Sequence, residues 1–140
     1  MQHVQTRSTT SALVLTAVLI ALATLFTMYT KIPVPGIRGY FNVGDVVIMT
    51  SALLLGRKYG AYIGAIGPAL ADLFLGYAVF VPITFVVKGI EGYLVGTVYN
   101  NKTTTSALVA TIVGGIVIVA GYFIAEYFVF DPGVAIAGIV

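Results

Sequence analysis

Five apolar segments, near residues 11–29, 43–56, 60–80, 82–99 and 105–129, set the limits on what this chain can fold into. A helix needs about 20 apolar residues to cross a bilayer, and residues 12–28 run close to that length without a charge. The third and fifth segments are long enough as well, and so is the fourth, although it holds Lys88 and Glu91. The second is short and opens on Asp45, so it is expected to tilt or to stop below one membrane surface. Charged residues make up 9% of the 140, against roughly 25% in soluble domains. The expectation is an all-α integral membrane protein, with residues 1–140 forming a single transmembrane helical domain in the lipid bilayer.

The breaks between segments have chemical causes. Pro33 and Pro35 end the first helix, because proline lacks an N–H donor and restricts the residue before it. Pro82 suits the opening turn of the fourth. Residues 100–105 and 131–133 are polar turns. Residues 134–140 are apolar again but too few to cross, and are read as the start of a truncated sixth helix. The first segment exceeds the roughly 7–15 residues of a secretion signal and has only Arg7 before it, so a retained helix is expected. With the N-terminus cytoplasmic, Arg7, Arg57, Lys58 and Lys102 lie inside, while Lys31 and Arg38 lie outside. That majority agrees with the bias of Lys and Arg toward cytoplasmic loops.

Several functions are disfavoured. A net charge of +2, with no basic cluster larger than Arg57 and Lys58, argues against nucleic acid. Cysteine is absent and His3 is the single histidine, so no metal and no cofactor are expected. No GxxxxGK[ST] loop is present, so the chain has no ATPase of its own. HExxH and GxSxG are missing too, and no enzyme activity is expected.

The charges that remain converge. On this topology Asp45 starts the second helix at the outer side. Asp72 falls about 12 Å below the outer end of the third, and Lys88 and Glu91 about 9 and 14 Å below that of the fourth. Glu126 lies near the outer end of the fifth helix, and Asp131 follows. A charge at the bilayer centre costs at least about 2.5–3.5 kcal/mol, so such groups face the bundle interior or water and usually pair. Lys88 and Glu91 are three apart and can pair on one helix face, with Asp72 an alternative partner for Lys88. One lysine cannot neutralise Asp72, Glu91 and Glu126 together, and the surplus points to an outward-opening polar cavity. Above it, residues 36–45 (GIRGYFNVGD) place Arg38, Tyr40, Asn42 and Asp45 among glycines, as in a shaped lid. Tyr40, Phe41, Tyr77, Phe80, Phe85 and Tyr127 suit an interfacial belt. Tyr122, four residues before Glu126, is placed to stack on a flat ligand beside a carboxylate. On the first helix Ala17 and Ala21 form a small-residue stripe, extended by Thr24 and Met28, and this helix offers nothing polar to the outer site.

These residues resemble a known family, the substrate-binding S components of energy-coupling-factor (ECF) vitamin transporters. The resemblance rests on RGYFNVGDVVI (38–48), ALLLGRKYGAYIGAIGPALADLFLGY (52–77) and KGIEGYLVG (88–96). It extends to the AxxxA of Ala17 and Ala21 and to YFIAEYF (122–128). It implies a six-helix bundle with both termini inside and the first outer loop capping a substrate site. The implied activity is capture of a water-soluble vitamin or precursor such as riboflavin, a pyridoxine-type compound or hydroxymethylpyrimidine. Uptake would require a membrane coupling subunit, met by Ala17 and Ala21, and two ATPase subunits, in a bacterial or archaeal plasma membrane. The substrate-binding set is then Arg38, Tyr40, Asn42, Asp45, Asp72, Lys88, Glu91, Tyr122 and Glu126. The residues alone also admit a small helical channel, a self-associating scaffold, or a membrane enzyme using Asp72 or Glu91 as acid or base.

Overall fold

The computed structural model describes residues 9–30, 32–33, 40–100 and 102–129. Five helices carry the fold: α1 (Thr9–Tyr29), α2 (Gly44–Leu55), α3 (Arg57–Phe74), α4 (Phe80–Val98) and α5 (Thr104–Val129). A two-residue antiparallel ladder, β1 (Ile32–Pro33) with β2 (Tyr40–Phe41), interrupts the all-helical plan in the α1–α2 connection. Residues 134–140, expected to begin a sixth helix, lie outside the described residues, as do Arg38 and Asp131.

Three of these helices, α1, α4 and α5, are long and apolar enough to cross a membrane. The third segment differs from the expectation in its bounds. Its helix starts at Arg57 rather than residue 60 and ends at Phe74 rather than 80, so it carries Arg57, Lys58 and Asp72 in 18 residues. Gly56, at φ 97°, turns the chain so sharply that α3 begins directly after it. Gly76, at φ 84°, lies in the turn beyond the other end. At 12 residues, α2 is about 18 Å long and too short to span.

The surface is apolar and the interior is small or polar. Leu13, Val14, Leu54, Ile112, Ile116 and Phe128 are all exposed, whereas the residues buried on α1 are Thr16, Ala23, Thr24 and Thr27. In lipid, helices gain no hydrophobic drive toward one another, and close packing with interhelical hydrogen bonds must hold them. Here glycines permit that approach. A Cβ added at Gly60 of α3 would fall 2.6 Å from the Gly92 carbonyl oxygen of α4 and 2.6 Å from Ala52 Cβ of α2. Thr24 on α1 shares its single hydroxyl proton between the Ile20 carbonyl of its own helix and the Gly67 carbonyl of α3, at 2.8 and 3.0 Å. Thr24 is therefore an inward residue, not an extension of an exposed Ala17 and Ala21 stripe.

The turns bring the end of α1, the starts of α2 and α4 and the ends of α3 and α5 to one end of the bundle, called here the loop end. Arg57, Lys58 and Lys102 collect at the other. α2 packs against α1, α3, α4 and α5, whereas α1 makes no close backbone contact with α4 or α5 among the described residues.

Candidate functional site

The buried charges lie where α2, α3, α4 and α5 meet, from Asp45 at the loop end down to Lys88 and Glu91 around the middle of α4. Lys88 is placed by the α3–α4 crossing, since its backbone packs directly on Gly64 and Gly64 in turn on Ile48 of α2. Asp45 stands three residues before Ile48, about one helical turn nearer the loop end. The Lys88 side chain reaches up to it and donates a hydrogen bond to Asp45 Oδ1. On its own helix Lys88 Nζ lies 3.1 Å from Glu91 Oε2. Asp45, Lys88 and Glu91 thus form a triad of two acids on one cation. Side-chain exposure falls from 22% at Asp45 to 4% at Lys88 and zero at Glu91. The triad has one partly open member and a sealed base.

Glu91 is the unusual group. Its Oε2 is held by the Lys88 ammonium at 3.1 Å, and Oε1 has no hydrogen-bond partner among the described residues. Buried acceptors rarely stay unpaired, because each then keeps its desolvation penalty of about 1–3 kcal/mol or more.

A second chain of contacts runs beside the triad. Thr84 Oγ1 donates to Asp72 Oδ2 at 2.5 Å and lies 3.0 Å from the Tyr122 hydroxyl. Threonine has one hydroxyl proton, so Tyr122 is the donor to Thr84 and the order is Tyr122, Thr84, Asp72. The Tyr122 ring also faces Lys88, with Nζ 6.0 Å from its centroid, at the limit of a cation–π contact. Glu126 is buried nearby on α5.

Placement of the expected residues is mixed. Asp45, Lys88 and Glu91 come together, and Asp72 and Tyr122 join through Thr84. The partner of Lys88 on a second helix is Asp45, which corrects the pairing with Asp72. Because α3 stops at Phe74, Asp72 lies only about 3 Å from its helix end, not 12 Å deep. Tyr122 turns its hydroxyl to α4. Asn42 accepts a hydrogen bond from Thr27 Oγ1 of α1 at 3.3 Å, and the Val43 amide donates to Thr30 Oγ1 at 2.9 Å. The first helix therefore does offer polar groups at this end, contrary to expectation. Tyr40 pairs with Pro33 through its backbone. Tyr77, Phe85 and Tyr127 are exposed, as a belt requires. Thr84 and Thr27 were missed. Thr84 had a signal, since it precedes Lys88 by four residues and Glu91 by seven and so shares their face.

An apolar exterior around a small-residue interior with charges buried between the helices defines a multi-pass helical membrane protein with an internal polar cluster. Residues 7–139 match the family described as ECF-type riboflavin transporter, S component. The chain belongs to that family and is a transporter component. A "Thiamine precursor transporter HmpT" of Lactococcus lactis subsp. cremoris is 33% identical over 126 residues, covering 89% of this chain and 69% of the relative. An "Uncharacterized protein in gap 3'region" of Pyrococcus woesei is 43% identical over 117 residues, covering 81% and 77%.

Proposed function

We propose that the chain is the substrate-capture subunit of an ATP-driven ECF importer in the cell membrane. It binds a water-soluble vitamin or vitamin precursor at the loop end of the bundle, beneath the α1–α2 connection. The observation that carries this reading is the buried Asp45–Lys88–Glu91 triad. One cation serves two acids there, and a polar ligand would supply a partner for the Glu91 oxygen that has none among the described residues. Family membership and the thiamine precursor transporter relative support a vitamin-type solute. Asp72, Tyr122 and Glu126 flank the triad, and Arg38, Tyr40 and Asn42, which fall between α1 and α2 in the sequence, complete the proposed set. The test is saturable binding by the purified full chain, using riboflavin, pyridoxine and hydroxymethylpyrimidine in native mass spectrometry and calorimetry. One-to-one binding of one of them is expected. Ion conductance with no binding of any solute would replace this reading with a channel.

Coupling to a membrane subunit and two ATPases is assigned to α1, on which Ala17 and Ala21 are exposed. Small residues on a lipid-facing helix let a partner helix approach closely. Ala17→Leu with Ala21→Leu is expected to keep ligand affinity within about threefold, a change below roughly 0.7 kcal/mol. It should abolish copurification with the coupling subunit and uptake with it. Loss of ligand with normal assembly would place the docking surface elsewhere.

A further inference from the structure

We infer that Thr84 is a positioning residue of the capture site: its hydroxyl ties the Tyr122 ring beside Lys88 and orients the Asp72 carboxylate. This rests on the capture reading above and adds a residue that acts on the solute through its neighbours. A helical threonine commonly turns its hydroxyl back to the carbonyl four residues earlier, as Thr16, Thr97 and Thr111 do at 2.7, 2.8 and 3.1 Å. Thr84, buried in the first turns of α4, spends its proton on Asp72 Oδ2 instead and accepts from the Tyr122 hydroxyl at 3.0 Å. Asp72 lies on α3 and Tyr122 on α5, two helices without close backbone contact among the described residues. One hydroxyl on α4 therefore bridges helices that the backbone leaves apart.

The bridge decides where the ring sits. Gly121 brings α5 in so closely that an added Cβ there would lie 2.7 Å from Val87 Cγ1 of α4. The next residue, Tyr122, lies across α4 beside Thr84 and Lys88, with Lys88 Nζ 6.0 Å from its ring centroid. A buried tyrosine hydroxyl needs a hydrogen-bond partner. Without the Thr84 oxygen the ring turns toward water at the loop end and leaves Lys88. A methyl in place of the Thr84 hydroxyl also releases Asp72 Oδ2 from the bond that orients it. Both neighbours flank the triad, so Thr84 shapes the surface a solute meets without touching the solute. Groups held in place before binding raise affinity because ordering them no longer opposes it.

The test sets two opposite substitutions against each other in the purified full chain, with riboflavin, pyridoxine and hydroxymethylpyrimidine as probes. Thr84→Val keeps the shape and removes the hydroxyl, whereas Thr84→Ser keeps the hydroxyl and removes a methyl. For the probe that the wild type binds, Thr84→Val is expected to lower affinity about five- to ten-fold, the order of one hydrogen bond. Thr84→Ser should stay within about threefold of the wild type. Tyr122→Phe, which leaves the bond from Thr84 to Asp72 in place, should also weaken binding, and it carries the test if Thr84→Val does not fold. Combining Tyr122→Phe with Thr84→Val should cost no more than Thr84→Val alone, because both remove the same tie. Unaltered affinity in folded Thr84→Val or in Tyr122→Phe overturns the inference, and so do fully additive losses. A Thr84→Ser protein as weak as Thr84→Val overturns it as well, since the methyl and its packing would then be what matters. In each of these outcomes the wild type still binds its probe and the capture reading stands. A wild type that binds none of the probes defeats both.

Discussion

Replacing Lys88 by Met is expected to leave little folded protein. The substitution keeps an unbranched side chain, shorter by one atom, and removes the one cation between Asp45 and Glu91. Two carboxylates then face each other, one of them fully buried. Removing one partner of a buried ion pair typically costs about 3–5 kcal/mol, because the survivor's charge is left uncompensated. Folded proteins are commonly stable by only about 5–15 kcal/mol, so this single loss is a large part of the total. The matching double variant, Lys88→Met with Glu91→Met, should regain most of the melting temperature, since apolar replacements of buried pairs are often neutral or stabilising. It should not regain ligand binding. Monodispersity in detergent and thermal melts read both outcomes. A Lys88→Met protein that melts with the wild type would show that the triad contributes nothing to stability.

The second large effect is expected at the crossing of α3 and α4. Gly60→Val introduces a Cβ that would lie 2.6 Å from both Ala52 Cβ and the Gly92 carbonyl oxygen. Neither can swing aside, because one is the first atom of a short side chain and the other is backbone. Three helices must separate to admit it. Overpacking of this kind costs about 1–3 kcal/mol and occasionally more. The propensity gained on replacing glycine is below about 1 kcal/mol, so the clash wins. Separation at Gly60 would also disturb the next contact along, where Gly64 meets the Lys88 backbone. Ligand affinity should therefore fall together with the melting temperature in Gly60→Val. Falling stability with unaltered affinity would show that the crossing does not set the position of Lys88.

Much of this architecture can be read from the chain because lipid imposes simple rules. Long apolar runs located α1 and α5 closely, and the rarity of charge in the interior singled out Lys88, Glu91 and Glu126. What the sequence hid was registration between distant segments. Asp45 and Lys88 are 43 residues apart, and nothing in their spacing shows that Gly64 brings α2 and α4 to the same level. The end of α3 was hidden for a different reason. Residues 73–81 are almost wholly apolar, so the turn after Phe74 has only Gly76 to mark it. The Thr27–Asn42 bond was hidden because threonine is unremarkable on an apolar helix, and its partner is identified only once the connection is folded.

That last bond bears on how distant parts of the molecule share movement. α1 is insulated from α4 and α5 by the helices between them, yet Thr27 holds Asn42. Asn42 is three residues from Asp45, whose carboxylate grips Lys88. A push or pull on α1 along its axis therefore has a short lever to the sealed base of the triad. That lever consists of one hydrogen bond, three residues of backbone and one ion pair. The 3.3 Å bond at Thr27 acts beside the direct packing of Gly44 on Ala23 and Thr27, so α1 and the start of α2 move as one piece.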